Sequence, residues 1–317
     1  MNSVVIPAYN AERVLGACLD ALLAQTAPRD SYEIIVADDG STDGTRRVAE
    51  SRGVRVVTQP NRGPGAARNL GARRARGDIL LFLDADSVPD ARWIEAMTAP
   101  FGDPTIVGAS GEKRTRQNNL WARLVQLEYD FKYDRLAAHR HIDFVDSSTA
   151  AYRRDVFRDT GGFDAALMEA EDVELSFRLA ERGCKLVLIR DAVTYHHHPE
   201  SLGHYSKRKF QYARWRAIVY ARYPRKAASD QRTPLTQKLQ PLLAFAMVPT
   251  ALAAFVWNAL AWAVVLFALV FVGTTIPFAA YCWRRSRLIA LVAPMTLWLA
   301  AYANGAGALM GFASRRR

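Results

Sequence analysis

Two long stretches without any charged side chain divide this chain into parts of different character. Residues Leu239–Trp283 contain no Asp, Glu, Lys or Arg, and neither do residues Leu288–Ser314. A helix that crosses a bilayer needs about 20 apolar residues, so the first stretch is long enough for two such helices and the second for one. The residues before them have the composition of a soluble domain. The pattern predicts a globular part followed by a membrane region.

A basic stretch lies between these two parts. Residues Gly203–Lys238 carry ten Lys and Arg against a single acid, Asp230, in a chain of formal net charge +11. Beside apolar runs, such charge favours anionic lipid headgroups and the cytoplasmic face of a membrane. Nucleic acid is the less favoured partner, because no groove-reading module accompanies the charge. The amphipathic pattern of His204–Tyr220 predicts an interfacial helix, and Pro224–Pro241 is expected to be a polar linker. We therefore expect three regions, at residues 1–203, 204–238 and 239–317.

Short runs rich in Val, Ile and Leu alternate with helical patterns in the N-terminal region. This alternation predicts an α/β fold, with a mostly parallel sheet that is covered by helices on both faces. Ligands of such folds bind at the carboxyl ends of the strands. Strands are predicted at Ser3–Ile6, Glu33–Ala37, Val54–Val57, Ile79–Leu83, Asp143–Ala151 (with a loop), Lys185–Ile189 and Ala192–Tyr195. Helices are predicted at Arg13–Gln25, Thr45–Ser51, Arg68–Arg76 and Val173–Arg182.

The predicted strand Ile79–Leu83 is followed by two carboxylates separated by one residue, Asp84 and Asp86. Carboxylate oxygens are the ligands that hard divalent cations such as Mg²⁺ and Mn²⁺ prefer. A metal that bridges a diphosphate neutralises the charge that develops on a leaving nucleotide. The same two acids could instead cap the following turn. The pattern by itself leaves both interpretations open.

A second predicted strand, Glu33–Ala37, also ends in acids, at Asp38 and Asp39. A carboxylate at this position can accept hydrogen bonds from the N–H groups of uracil or guanine. The alternative is a turn and a helix cap, for which Asp43 is suited. A glycine-rich turn precedes Arg68, and its backbone N–H groups and this cation suit a diphosphate. Together these features indicate a site for a nucleotide diphosphate.

A series of motifs in this order resembles the family 2 inverting glycosyltransferases with the GT-A fold. The resemblance extends over more than half of the chain. Its motifs are VVIPAYN at Val4–Asn10, DDGSTDGT at Asp38–Thr45, GAARN at Gly65–Asn69, DAD at Asp84–Asp86, GGFD at Gly161–Asp164 and EDVEL at Glu171–Leu175.

The resemblance implies a GT-A, Rossmann-like fold and a set of roles for the matching residues. The residues implied to bind the donor nucleotide are Pro7, Tyr9, Asp38, Asp39, Arg68 and Asp84. Asp84 and Asp86 would hold the metal, and Asp172, with Glu171 beside it, would be the catalytic base that deprotonates the acceptor hydroxyl. For Glu171 and Asp172 the alternative is a pair of acids that favour a helix dipole. Residues Asp143–Thr149 stand where an Asn-containing acceptor loop is common, so the resemblance does not identify the acceptor.

Two later motifs have open interpretations. His196 and His198 could share one face of a strand, because neighbouring side chains alternate. The resemblance puts His196 where a late histidine completes the metal sphere in several GT-A enzymes, with His198 as the second choice, and the alternative is polar surface residues. Gln211, Arg214 and Trp215 fit the Q-x-x-R-W signature of processive synthases and glycolipid-forming relatives. They would contact the acceptor, or else anchor an interfacial helix.

These observations predict a multi-pass membrane enzyme with a cytoplasmic catalytic domain. It would use Mn²⁺ or Mg²⁺ to transfer a sugar from a nucleotide-diphosphate sugar to a lipid-linked or glycolipid acceptor. Two alternatives are a short processive polysaccharide synthase and an inactive, membrane-tethered nucleotide-sugar-binding protein. A third span would leave Arg315–Arg317 on the outer side, against the positive-inside rule. The last apolar run is therefore expected either to span or to form a hairpin at Asn304–Gly307.

Overall fold

A computed structural model describes residues 1–314, which form two compact units. The first unit consists of Met1–Gln117 and Arg135–His197, and the second of Asn118–Asp134 and the chain from His198 onwards. The expected position of Arg315–Arg317 lies outside the described residues. The domain limits at residues 203 and 238 stay a prediction.

An eight-stranded sheet forms the centre of the first unit. Its strands are β1 (Asn2–Ala8), β2 (Tyr32–Asp38), β3 (Arg55–Thr58), β4 (Ile79–Leu83), β5 (Val88–Pro89), β6 (Ile106–Arg114), β7 (Thr149–Arg153) and β8 (Lys185–Tyr195). Their spatial order is β3-β2-β1-β4-β7-β6-β8-β5. The strands β3, β2, β1 and β4 are parallel, whereas β7 runs antiparallel to both β4 and β6. The sheet is therefore mixed, and its N-terminal half has the predicted parallel order.

Helices cover both faces of this sheet. They are α1 (Leu15–Leu23), α2 (Thr45–Glu50), α3 (Pro64–Arg74), α4 (Trp93–Thr98), α5 (Leu120–Ala137), which the two units share, α6 (Arg154–Asp159) and α7 (Glu171–Glu181). Successive side chains of β1 enter different cores, since Val4 and Ile6 pack with α1 and Val5 packs with α3 and α7. Strand β4 is buried along its whole length for the same reason. The predicted α/β class with helices on both faces is confirmed.

Several predicted boundaries were wrong. Helix α3 begins at Pro64, four residues before the predicted Arg68, because proline at the first helical position has its φ already set for a helix. The two late strands are one strand, β8, whose register with β6 is irregular between Ser110 and Glu112. Strands β5 and β6 and helices α4, α5 and α6 were not predicted.

The second unit is helical. Besides most of α5 it contains α8 (Leu202–Arg222), α9 (Pro224–Ser229), α10 (Leu235–Ala254), α11 (Leu260–Trp283) and α12 (Arg287–Ser314). The expected linker is partly helical, since α9 and the start of α10 lie within it. Helix α12 is continuous, so the expected hairpin alternative was wrong. By length and composition, α11 and α12 could each cross a membrane.

Candidate functional site

Both acidic strand ends lie at one edge of the sheet. Asp38, the last residue of β2, pairs with Ala8, the last residue of β1. Asp84 follows β4, which pairs with β1 on its other side. Because β7 runs antiparallel to β4, its first residue, Thr149, lies beside Leu83 at the same edge. The topology therefore brings together acids from motifs that are far apart in the chain.

A buried guanidinium joins two of the predicted motifs. Arg68, which is 4% exposed, donates from Nη2 to Asp84 Oδ1 at 2.7 Å and from Nη1 to Glu171 Oε1 at 2.6 Å. The Ser147 hydroxyl donates to the same Glu171 oxygen at 3.3 Å. Both Nη groups of Arg68 thus contact protein carboxylates, and a contact with a donor diphosphate stays a prediction.

The charges of this bridge affect one another. Burial raises the pKa of Glu171 to about 7, although the charge of Arg68 opposes this shift. For Arg68, burial lowers the pKa, but the charges of Asp84 and Glu171 outweigh it and hold the pKa above its usual value. The guanidinium therefore stays charged and binds both acids.

Asp86 lies beside a histidine. Its Oδ1 is 3.4 Å from Nδ1 of His196. The short strand β5 explains this proximity, because Val88 pairs with Tyr195 and so brings the residues that flank them together. Burial raises the pKa of Asp86, but the hydrogen bond and charge of His196, together with the charge of Lys113, hold it below its ordinary value. Asp86 is therefore ionised at neutral pH.

The sequence analysis missed a second buried ion pair at this edge. Lys113 Nζ lies 2.9 Å from Asp146 Oδ1, and both side chains are almost completely buried. The Ser148 hydroxyl donates to the same carboxylate at 2.7 Å. Lys113 is near the end of β6, a strand that the sequence did not reveal. The sequence around it, Ile106–Arg114, mixes Gly, Ser, Glu and Lys and so gives no signal of a buried strand.

The predicted base, Asp172, lies in the first turn of α7. Its Oδ1 accepts the backbone N–H of Val173 at 2.8 Å, and the N–H of Ser147 is 3.5 Å from its Oδ2. The residue before this turn, Ala170, has a left-handed conformation with φ 65°. Such a conformation costs roughly 1–3 kcal/mol for a non-glycine residue and is typical of functional sites. Asp172 is less buried than Glu171.

Asp39 has a different environment from its neighbour Asp38. It accepts hydrogen bonds from Gln59 Nε2 at 2.7 Å, the N–H of Arg62 at 3.0 Å and the N–H of Gly63 at 2.8 Å. These bonds hold the loop that leads into α3. In the structure Asp39 therefore stabilises this loop. Its position beside a nucleotide stays a prediction.

The remaining predicted nucleotide residues lie around the ends of β1 and β2. Asp38 is buried, and its Oδ1 accepts the N–H of Ser41 at 3.1 Å. Pro7 is half-buried in β1, and Tyr9, one residue beyond that strand, is exposed. The expected turn at Asp43 is present, since its Oδ1 accepts the N–H of Thr45 at 3.0 Å.

A divalent cation is compatible with the residues at Asp86. Among residues 1–314, no three His, Cys, Asp or Glu side chains gather into a complete metal site. Asp86 and His196 nevertheless form a pair of oxygen and nitrogen donors that suits Mn²⁺. Mg²⁺ sites of this kind use one or two carboxylates and complete their shell with substrate phosphates and water. The donor set therefore fits, with Asp84 as the further carboxylate.

The other predicted residues belong to the second unit. His198 is buried there, stacks on Tyr129 and contacts Gln126 Oε1 through Nε2 at 3.1 Å. Arg214 and Trp215 are half-buried in α8, and Gln211 is exposed. Their roles at an acceptor, and that of His198 at a metal, stay predictions.

A family model and several known proteins match this chain in sequence. A family model described as glycosyl transferase family 2 matches residues 3–161. The chain is 28% identical over 202 residues to the glycosyltransferase AglE of Haloferax volcanii, covering 61% of this chain and 66% of that protein. It is 30% identical over 236 residues to the pre-mycofactocin glycosyltransferase of Mycobacterium tuberculosis, covering 71% of this chain and 49% of that protein. The chain thus spans about two thirds and about half of the lengths of these curated relatives.

Solved structures share the fold. The mannosyltransferase PcManGT from Pyrobaculum calidifontis, in complex with GDP-Man and Mn²⁺, matches with a TM-score of 0.66 and 23% identity, covering 99% of this chain and 87% of that one. S. aureus TarS matches with a TM-score of 0.52 and 18% identity, covering 95% and 54%. At these identities the likeness establishes the GT-A fold. The family model, which matches half of the chain and includes Arg68, Asp84 and Asp86, shows that this chain belongs to glycosyl transferase family 2.

Proposed function

We propose that this chain is an inverting, metal-dependent glycosyltransferase. It transfers a sugar from a nucleotide-diphosphate donor to a lipid-linked or glycolipid acceptor at the cytoplasmic face of a membrane. The observation that carries this proposal is the Arg68 bridge. Because Arg68 contacts both Asp84 and Glu171, the acids of the D-x-D motif and the turn that bears the base belong to one site.

The donor binds across the ends of β1 and β2. Pro7 and Tyr9 line the nucleotide pocket, and the Asp38 carboxylate accepts N–H groups of the base. The choice of a nucleotide sugar is supported by PcManGT, whose structure holds GDP-Man and Mn²⁺. It is also supported by a TarS structure that contains UDP-GlcNAc, with a TM-score of 0.50.

The base is Asp172. It accepts the proton of the acceptor hydroxyl while that oxygen bonds to the anomeric carbon and the bond from this carbon to the diphosphate oxygen breaks on the opposite face. Glu171 is less suited, because its Oε1 already accepts from Arg68 and Ser147. Asp84, Asp86 and His196 would hold the divalent cation, which neutralises the charge of the departing diphosphate when it is bound.

The second unit supports the proposed membrane location. Helices α11 and α12 are long and apolar enough to cross a membrane. Many large apolar side chains of α10 to α12 are exposed, among them Leu242, Trp262 and Leu291. Apolar exposure on this scale fits a lipid environment better than water.

The experiment has two steps. A thermal-shift screen of nucleotides and nucleotide sugars with Mn²⁺ or Mg²⁺ identifies the donor, because a bound ligand raises the unfolding temperature by mass action. Transfer is then measured for Asp172→Asn, with Asp20→Asn as the matched control, since Asp20 is an exposed partner of Arg52. We expect Asp172→Asn to lose about 10²–10⁴-fold in rate and the control to keep its rate. A fully active Asp172→Asn variant would refute the assignment of the base.

A short processive synthase is the second candidate, because the Q-x-x-R-W motif is present in α8. Product size separates the two candidates. One added sugar per acceptor supports the single transfer, whereas a ladder of products supports the synthase. Donor binding without turnover on any acceptor would favour an inactive binding protein.

A further inference from the structure

A buried ion pair of the first unit, Lys113 and Asp146, is connected to the turn that bears the predicted base. We propose that this pair positions the base. It fixes residues 145–147, which we call the linking segment, to strand β6, and the linking segment holds the first turn of α7. Lys113 and Asp146 are thus positioning residues for the transfer. This inference rests on the proposed function, since it takes Asp172 as the base, and deepens it.

Asp146, the middle residue of the linking segment, is attached to β6 through both its backbone and its side chain. Its N–H donates to the Ser110 hydroxyl at 3.2 Å, and its Oδ1 lies 2.9 Å from Lys113 Nζ. The hydroxyl and the N–H of Ser148 donate to the same oxygen at 2.7 Å and 3.3 Å. The N–H of Thr149 donates to the Asp146 carbonyl oxygen at 3.0 Å. These contacts fix the turn relative to β6.

The two outer residues of the linking segment contact the start of α7. The N–H of Val145 donates to the Ser176 hydroxyl at 3.0 Å, and this hydroxyl donates to the carbonyl oxygen of Asp172 at 2.6 Å. The Ser147 hydroxyl donates to Glu171 Oε1 at 3.3 Å, and the Ser147 N–H lies 3.5 Å from Asp172 Oδ2. The linking segment is therefore connected to both the backbone and the carboxylate of the predicted base.

The start of α7 depends on such contacts, because its backbone conformation is unfavourable by itself. Ala170 precedes the helix with φ 65° and gives it no side-chain hydrogen bond. A residue other than glycine keeps such a conformation only where the surrounding structure determines it. We therefore expect Asp172 to move when the linking segment loses its attachment to β6.

The burial of the pair allows a positioning role to be separated from a purely stabilising one. The side chains of Lys113 and Asp146 are 5% and 7% exposed. Replacing both members of a buried ion pair by apolar residues of similar volume is often neutral for stability, whereas removing one member is destabilising. A pair that served stability alone would therefore be replaceable. A pair that positions the base would not be, because apolar side chains do not form its hydrogen bonds.

The double variant Lys113→Met/Asp146→Leu of the full chain tests this distinction. Transfer is measured with the donor that the thermal-shift screen selects from GDP-Man, UDP-GlcNAc and related nucleotide sugars, and unfolding is followed on the same preparation. We expect an unfolding temperature near that of the unmodified protein and a kcat about 10²-fold lower, the effect of a displacement of about 1 Å at the reacting groups. The KM for the donor should change little, because the predicted nucleotide residues lie at β1 and β2, on the other side of β4. A double variant with both its stability and its kcat intact would overturn the inference.

A neighbouring ion pair provides the matched control. Glu112 is also buried in β6, and its Oε1 lies 2.7 Å from Arg190 Nε. Adjacent side chains of a strand point to opposite faces, so this pair lies away from the linking segment. Glu112→Leu/Arg190→Met should keep the kcat of the unmodified protein. An equally large loss in this control would overturn the inference, because a general disturbance of β6 would then explain both losses.

A titration with Mn²⁺ separates an effect on the base from an effect on the metal. Besides burial and His196, the charge of Lys113 acts on the pKa of Asp86. A kcat of the double variant that stays low at saturating Mn²⁺ supports the positioning of the base. Full recovery of the kcat at high Mn²⁺ would overturn the inference and assign the loss to the metal site.

A second variant tests the connection to α7 without changing a charge. Ser176→Ala removes the hydroxyl between Val145 and Asp172 and should lower the kcat roughly 3–10-fold, the range for the loss of one neutral hydrogen bond. Thr98→Val is its control, because the Thr98 hydroxyl likewise donates to the carbonyl oxygen four residues earlier, that of Ile94, but in α4. The same kcat in both variants would overturn the inference.

A failure of this inference differs from a failure of the proposed function. If Asp172→Asn is inactive and the Lys113→Met/Asp146→Leu variant transfers at the rate of the unmodified protein, the base is assigned correctly but the pair does not position it. If Asp172→Asn is fully active, the assignment of the base fails, and this inference fails with it.

Discussion

Asp84 and Asp86 are the same residue type, two positions apart, but their environments differ. Asp84 contacts the buried guanidinium of Arg68, which in turn contacts Glu171. Asp86, with 41% of its side chain exposed, faces the imidazole of His196. Asp84, with 29% of its side chain exposed, thus contacts a buried guanidinium, whereas the more exposed Asp86 lies beside a largely buried imidazole. The difference shows that the partner, rather than the motif, decides what each acid can do.

The largest effect on the transfer rate is expected when Asp86 is replaced. Asp86→Ala should reduce transfer by about 10³-fold, the size typical of losing one electrostatic contact to a transition state. The unfolding temperature should change little, because the side chain is partly exposed. Initial rates with the identified donor and a thermal melt of the same preparation measure both. If the Asp86→Ala variant unfolds at a lower temperature but retains its transfer rate, Asp86 supports the fold and not the reaction.

Replacing the cation that contacts Asp84 should lower the stability of the folded protein. Arg68→Leu leaves two carboxylates near each other without their cation, and breaking a buried pair in this way costs about 3–5 kcal/mol. Thermal unfolding in detergent measures the loss. The combined Arg68→Leu and Glu171→Gln variant removes one of the two charges and should regain part of the stability. If the double variant regains no stability, repulsion between these carboxylates is not the cause of the loss.

His196→Gln removes the imidazole beside Asp86 and should reduce the rate less than Asp86→Ala does. The expected loss in rate is about 10–100-fold, the range found when a residue that tunes a metal site is changed. The metal concentration needed for half-maximal rate should rise. His197→Gln is the matched control, because His197 is adjacent and exposed. A similar loss in both variants would mean that His196 does not act through the metal.

The smallest effect concerns pH. The pKa of Glu171 is about 7 in the folded protein, above its ordinary value of 4.5, so the folded state binds the proton more tightly than the unfolded state. The contribution of this group to stability is therefore present at low pH and is lost as pH rises from about 4.5 to 7. Glu171→Gln should show a weaker fall in unfolding temperature over this interval. Parallel pH profiles for the two proteins would contradict the raised pKa.

Much of the first unit was predictable from local sequence. The strands at Ile79–Leu83 and Glu33–Ala37 were found because continuous apolar runs end there in turn residues. Strand β6 was missed, because its Gly, Ser, Glu and Lys residues do not form an apolar run. Its burial comes from neighbours on both sides in the sheet, β7 and β8, and local periodicity does not contain that information.

Some residues of the candidate site were also predictable from local sequence, and others were not. Its acids were identified from motifs, but Lys113 was not, since a lysine is ordinarily exposed and its partner Asp146 is 33 positions away. The contact between Arg68 and Glu171 joins residues 103 positions apart. Such pairs depend on the order of strands, which the spacing of residues along the chain does not specify.

The amino-acid sequence by itself determined the family resemblance, through its ordered motifs. It also determined the α/β class and the division into a part of ordinary composition and an apolar part, because these follow from local composition and period. The tertiary structure alone decided that Asp84 pairs with Arg68 and Asp86 with His196, and that Gly311 of α12 packs on α8. These contacts join residues that are distant in the chain, and only the topology of the sheet and the packing of the helices bring such residues together.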